Sequence, residues 1–338
     1  MLEHGVSGTS YGEPGLSESI LAPRSQPGTP APRLRIGLLN NMPDTALVQT
    51  ERQFRRLIGP EAELRFFSLD AVPRGPLARA HLDRCYASHT ALAAAGLDAL
   101  VITGAEPKAA RLDHEPYYAE FASVVDWAAA HTVSTLFSCL AAHAAVLHLD
   151  RIERRPLPAK HSGVYACAAT AVHPLLAGMP AVMPVPHSRW NDLPEADLAA
   201  RGYTVLRRSE QVGVDLFVRE GRSLMVFLQG HPEYEPDTLA REYRRDMGRF
   251  LDGSRDTLPG LPVDYYGAEA AARLQAFAER ALRERTPALH ADFPDREATP
   301  PRPAEWPEGA SRLFRNWLTQ VAARRAHRPA AAPVSALA

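Results

Sequence analysis

The sequence is short of cysteine. Its 338 residues hold three, Cys85, Cys139 and Cys167, far apart and with no C-x-x-C pair. That is too few for a disulfide framework and the wrong spacing for structural zinc, so no metal is expected. No apolar run approaches the roughly 20 residues a membrane helix needs, so a membrane partner is not expected either. Charge of one sign is also lacking: 38 basic against 39 acidic residues give a formal net charge of −1. Nothing in that balance draws the chain to nucleic acid or an anionic surface. The N-terminus has no basic start followed by an apolar stretch, so it does not read as a secretory leader. Scattered free thiols without a leader fit a reduced, cytoplasmic protein.

What is present is an ordinary globular composition, 46% apolar, able to build a sizeable core. Residues 1–32 are rich in Gly, Ser and Pro and read as a disordered tail. Residues 33–325 read as one domain, and 326–338 as a second disordered tail. A Pro-rich stretch, "TPALHADFPDREATPPRPAEWPEG" (286–309), reads as a surface excursion between two helices. No internal repeat is visible.

Within the domain, strands and helices alternate. "LRIGLLN" (34–40) is a continuous apolar run, as in a strand buried on both faces. A helix follows, with Asp44 as its cap, Leu47, Phe54, Leu57 and Ile58 on one face, and Gly59 as its stop. "ELRFFSL" (63–69) and "LDALVITG" (97–104) are further strands, and 117–131 is an amphipathic helix. "VSTLFSC" and "LAAHAAVLHL" form one more strand–helix pair. Segments 163–167, 181–188 and 203–209 read as strands. Segments 214–220 and 223–230 are joined by Gly221-Arg222 and read as a hairpin. A last helix runs from Pro236-Asp237 to Gly253. The alternation predicts an α/β fold: a doubly wound, mostly parallel sheet with flanking helices, flavodoxin-like. Reactive groups in such sheets gather beyond the carboxyl ends of the strands, where Asn40, Gly104 and Cys139 fall.

Cys139 stands at the joint of strand and helix. A side chain on so sharp a turn is exposed above the sheet, and the first helical N–H groups point at it. Those donors and the helix dipole favour a negative charge there and can hold an oxyanion. The geometry is a nucleophile elbow with sulfur in place of oxygen, although Ser138 and Leu140 stand where glycines usually flank one. A thiolate needs a base. "FLQGHPEYE" supplies His231 after a strand, with Glu233 two residues on and, in extended chain, on the same side. A carboxylate so placed orients the imidazole and stabilises its cation. Cys–His–Glu is a complete device for acyl transfer. His143 and His148, on the helix after Cys139, compete for the role of base; His143 reads better as a packing residue. Cys167 reads as core and Cys85 as a half-buried helix residue.

At these residues the chain resembles the homoserine O-succinyltransferase family. The matching segments include "LRIGLLNNMPDTALVQTERQFRRLIG", "LDALVITGAEP", "VDWAAAHTVSTLFSCLAAHAAVLH", "LPAKHSGVY", "VPHSRW", "GVDLFV", "QGHPEYEPDTLAREYRRD" and "LFRNWL". They occur in family order from about residue 33 to 320. The resemblance implies a class I glutamine amidotransferase-like fold and a ping-pong reaction. Cys139 takes an acyl group from acyl-CoA; His231, oriented by Glu233, then activates the hydroxyl of homoserine. It further implies an oxyanion hole at the Leu140 amide and substrate contacts from Lys160, Ser188 and Arg245. No bound cofactor is implied, only succinyl-CoA or acetyl-CoA as co-substrate. Relatives are often dimers, so a homodimer is compatible.

This chain also departs from the family pattern. Thr45 stands where a lysine is usual, and Leu140 where a tryptophan often follows the cysteine. Lys108 aligns with the position associated with acyl-donor choice. A lysine there, helped by Arg111, could pair with the free carboxylate of a succinyl donor, which favours succinyl over acetyl. A serine-like acceptor remains an alternative. So do two other classes: a glutamine amidotransferase or cysteine hydrolase, and a metabolite-binding descendant without activity. "FSCLA" lacks the G-x-C-x-G usual in glutaminases.

Overall fold

Apolar runs too continuous for a half-exposed sheet become its central strands. In the computed structural model, which describes residues 33–327, β4 (Ala99–Thr103), β5 (Ser134–Ser138) and β10 (Leu224–Leu228) are buried along their whole length. Alternate residues serve opposite faces. Ala99 and Val101 pack into one core, Leu100 and Ile102 into another.

Ten strands form one sheet among the described residues. The others are β1 (Leu34–Leu39), β2 (Ala62–Ser68), β3 (Ala87–Ser88), β6 (Arg155–Ala169), β7 (Val182–Asp192), β8 (Thr204–Ser209) and β9 (Gly213–Arg219). Their order is β3-β2-β1-β4-β5-β10-β9-β8-β6-β7. The run from β3 to β10 is parallel. From β10 to β7 every pairing is antiparallel. The β9–β10 hairpin therefore joins a parallel half to an antiparallel half.

Helices cover both faces. α3 (Tyr118–His131) and α4 (Leu140–Asp150) fill one core, while α1 (Leu47–Ile58) and α8 (Trp306–Ala326) fill the other. α2 (Pro76–Cys85) and α5 (Glu195–Ala200) are peripheral. α6 (Thr238–Leu251) and α7 (Ala268–Arg283) build a third cluster around Tyr243, Met247, Leu274 and Phe277.

Several expectations change. Asp44 does not cap α1, which starts at Leu47 with no side-chain cap. Asp44 instead accepts from the Gly75 amide at 2.8 Å and pairs with Arg74. Cys85 is exposed, not half-buried. The strand expected over 163–167 begins at Arg155. Most of its length pairs only with β7, an edge position of the kind in which Pro156 and Pro158 are tolerated. The Pro-rich stretch is no mere excursion, since Leu289, Phe293 and Trp306 enter the third cluster. α8 runs to Ala326, one residue past the expected end of the domain. Both expected tails otherwise lie outside the described residues, apart from His327.

Candidate active site

Register brings the site together. Thr103 pairs with Ser138, and Ser138 with Leu228, so β4, β5 and β10 end level. The residues that follow, Gly104, Cys139 and the Gln229–His231 segment, emerge along one edge. The Cys139 amide donates to the Leu228 carbonyl at 2.7 Å, tying the elbow to that segment. Cys139 adopts φ 50°, ψ −110° immediately before α4. A positive φ in a non-glycine residue is strained and recurs at functional sites. Space for this turn comes from across the sheet. A Cβ on Gly104 would lie 2.4 Å from Leu140 Cβ and 3.1 Å from the Ala141 nitrogen. Gly104 thus does what flanking glycines do elsewhere, letting the helix end close in with Leu140 as its first residue.

His231 is buried, lines the same cleft as Cys139 and feels its charge. Its Nδ1 lies 2.8 Å from Glu233 Oε1. Burial alone would lower the ring's pKa, but the charges of Cys139 and Glu233 outweigh it and hold His231 well above its ordinary value. Ser138 Oγ donates to the same Glu233 oxygen at 3.2 Å. The segment is pinned from several sides. The His231 amide donates to the Pro186 carbonyl, Arg56 donates to the Glu233 carbonyl, and Trp306 to the Tyr234 carbonyl. The Tyr234 ring stacks on His231 at 4.3 Å. Beneath lies a buried polar knot of Asp215, His187, Arg207 and Arg189. A Cβ on Gly230 would come within 2.5 Å of Asp215 Oδ1, so glycine is required there too.

A cleft of about 650 Å³ opens over Cys139 and His231. Lys160, Ser188 and Arg245 all line it. Lys160 falls within an irregularity of β6, where register with β7 shifts between Pro156 and His161; such bulges re-aim side chains. It pairs with Asp246 at 3.0 Å and Glu242 at 3.6 Å. Arg245 reaches Asp246 at 2.8 Å, and Ser188 donates to Glu242. Burial would raise both carboxyls, yet Lys160 and Arg245 hold Glu242 and Asp246 below the usual carboxylate range. The wall therefore keeps these two anions and two cations side by side.

Not every expected residue arrives. Lys108 is exposed on the loop after β4 and does not line the cleft. Its amide donates to Glu115, and Arg111 is turned to Asp113 and Glu153. Thr45 lies outside the cleft, although Met42 and Pro43 line it. His143 is buried within α4, lowered to about 3 by burial and by Arg189 and Arg154, so it stays neutral. His148 forms a surface pair with Asp126. Cys167 is core, and burial raises its thiol far above the ordinary range.

The sequence reading missed Glu106, Trp190, Glu242, Asp246, Arg249 and Arg255, all of which line the cleft. For three of them a signal existed in part. Glu242, Asp246 and Arg249 follow i, i+4, i+7 spacing, with the expected Arg245 at i+3, and so share one face of α6, alongside buried Leu239 and Phe250.

The chain matches known proteins along most of its length. The family model described as "HTS: Homoserine O-succinyltransferase" matches residues 23–328. The chain is 74% identical over 292 residues to the homoserine O-succinyltransferase of Methylorubrum extorquens, covering 86% of this chain and 88% of that one. Its identity to the enzyme of that name from Rhodopseudomonas palustris is 50% over 298 residues, with 86% and 88% covered. Among solved structures it is similar to a glutamine amido transferase from Methylobacillus flagellatus, at 15% identity and a TM-score of 0.49, over 85% of this chain and 94% of that one. By the family model and these sequence relatives, the chain belongs to the homoserine O-succinyltransferase family.

Proposed function

We infer that this chain transfers the succinyl group of succinyl-CoA to the hydroxyl of L-homoserine, through an acyl group held on Cys139. The observation that carries this reading is the buried His231–Glu233 pair set against Cys139 at the floor of a cleft walled by paired charges.

In the first half-reaction the Cys139 thiolate attacks the thioester carbonyl. Charge building on the carbonyl oxygen is met by the Leu140 amide and the positive end of α4. The carbon–sulfur bond to CoA breaks, and the departing thiolate takes a proton from His231. In the second, neutral His231 removes the hydroxyl proton of homoserine. The oxygen attacks the acyl-cysteine, the ester forms, and Cys139 leaves as thiolate beside a protonated His231. Glu233 stabilises that cation and fixes which ring nitrogen faces the sulfur.

Arg245 and Lys160 receive the carboxylate of the acceptor, and Glu242 and Asp246 its ammonium. Arg245 Nη1 has no partner among the described residues, leaving donors for a substrate oxygen. The substrates are small molecules. A free nucleophilic thiol suits a reducing cytoplasm, and no helix among the described residues is long and apolar enough to cross a membrane.

The test is a matrix of donors and acceptors with purified protein. Succinyl-CoA with L-homoserine should give O-succinyl-L-homoserine and free CoA faster than acetyl-CoA or L-serine in any pairing. Ammonia release from glutamine, with no transfer from either CoA ester, would favour the amidotransferase reading instead.

A further inference from the structure

The cleft holds four cations, Lys160, Arg245, Arg249 and Arg255. Three converge on Asp246, at 3.0, 2.8 and 3.1 Å for Lys160, Arg245 and Arg255. Arg249 stands apart. One turn beyond Arg245 on α6, it forks onto Glu106, with Nη1–Oε1 2.8 Å and Nη2–Oε2 3.4 Å. Glu106 belongs to the loop after β4, on the other side of the cleft. It follows Gly104 by two residues, and Gly104 packs directly on Leu140. Two residues of chain span at most about 7 Å, so Glu106 lies beside the N-terminus of α4. The four carbons of a succinyl group extend roughly 5 Å from the sulfur that carries it. Extended from Cys139 along that loop, such a group would carry its free carboxylate toward this ion pair, which lines the same cleft.

We propose that Arg249 recognises the free carboxylate of the acyl donor, and that Glu106 is the charge it must neutralise for a succinyl group to enter. The inference rests on the reading of the chain as an acyl-CoA-dependent acyltransferase. The Arg249 and Glu106 side chains are 39% and 51% exposed, and an exposed pair of this kind holds by only about 0–1 kcal/mol. A substrate carboxylate can therefore compete for the guanidinium or share it. Arg249 has five N–H donors in a planar fork, and the Glu106 contact uses two of them. An acetyl group offers nothing to the rest. With Arg249 gone, Glu106 faces the incoming carboxylate and repels it, and Arg245, which also feels the Glu106 charge, is engaged by the acceptor's carboxylate. Two other cations near the site do not fit the part. Lys108 is exposed and does not line the cleft. Arg154 feels the charge of Cys139 but is half-buried, does not line the cleft, and its Nη1 is sealed from solvent.

The experiment measures kcat/KM for succinyl-CoA and acetyl-CoA at saturating homoserine. The proteins are wild type, Arg249→Ala, Arg249→Lys, Glu106→Gln, Arg154→Ala, Lys108→Glu and the Arg249→Ala/Glu106→Gln pair. The succinyl-to-acetyl ratio should fall about tenfold or more in Arg249→Ala, the loss of one charge-assisted contact. It should recover in part in Arg249→Lys. The double variant should stand above Arg249→Ala, because the exposed anion is gone. The proposal is overturned if Arg249→Ala leaves the ratio unchanged, or if it chiefly raises KM for homoserine. It is also overturned if Lys108→Glu or Arg154→Ala moves the ratio and Arg249→Ala does not. Wild type without any succinyl-CoA turnover would remove the underlying activity as well, and is distinguished by failing before any variant is compared.

Discussion

His231 Nδ1 and Glu233 Oε1 are 2.8 Å apart, both side chains buried, with Ser138 donating to the same carboxylate oxygen. The two residues are separated by a single proline, so the pair is local, but its alignment is not. It depends on Pro186, Arg56 and Trp306 holding the backbone of residues 231–234 from three different elements.

This pair makes stability depend on pH. His231 titrates well above its ordinary value in the folded protein. Its contribution is therefore whole below the unfolded value of about 6.5 and is lost as pH rises through the folded value. Glu233→Gln removes one of the charges that hold the value up. Its Tm should fall below that of wild type near neutral pH, by the equivalent of ~2 kcal/mol for a charged hydrogen bond. The two proteins should converge in alkaline solution. Melting curves across pH check this, and a constant gap would contradict it.

Cys139 carries backbone strain at φ 50°. Cys139→Ala should abolish transfer and keep the fold. Cys139→Gly should be equally inactive yet more stable than Cys139→Ala, by on the order of 1 kcal/mol, because glycine accepts the turn freely. Differential scanning calorimetry of the two variants gives the sign.

Gly104 is where the elbow finds its room. In Gly104→Ala the new methyl meets Leu140 at 2.4 Å, and overpacking of this kind costs about 1–3 kcal/mol. The larger effect should be on turnover, since a shift of the α4 N-terminus by a fraction of an ångström displaces the sulfur. A fall in kcat of roughly 100-fold is expected. Retained turnover would show that the elbow tolerates the push.

If Arg245 and Lys160 hold the acceptor as proposed, their variants separate binding from chemistry. Arg245→Lys keeps the charge but loses the planar fork. KM for homoserine should rise by about tenfold, some 1.4 kcal/mol, with kcat much less affected. Steady-state kinetics at fixed succinyl-CoA decide it.

Much of the fold was legible because the central strands are uniformly apolar and end at marked residues, Gly104, Cys139 and Gly230. The position of Cys139 at a strand–helix joint, and His231 after another strand, followed from the same runs. Other features hide in contacts between distant residues. Asp44 looks like a helix cap until Arg74 and Gly75, some thirty positions on, claim its carboxylate. β6 looks shorter than it is because Pro156, Pro158 and Lys160 carry no strand signal; β7 and an irregular register make the strand. Lys108 drew attention through resemblance, whereas Arg249 and Glu106 meet only once α6 folds over the loop after β4. Spacing on a helix can show that Arg249 shares a face with Arg245, but not what that face looks at.

The central claim is that Cys139 carries the acyl group between two substrates. Intact and peptide mass spectrometry after mixing the protein with succinyl-CoA alone tests it most directly. The account predicts one succinyl group on the peptide containing Cys139, released as product when homoserine is added and absent in Cys139→Ala. Full turnover with homoserine but no adduct on any residue in its absence, or an adduct on another side chain, would contradict it.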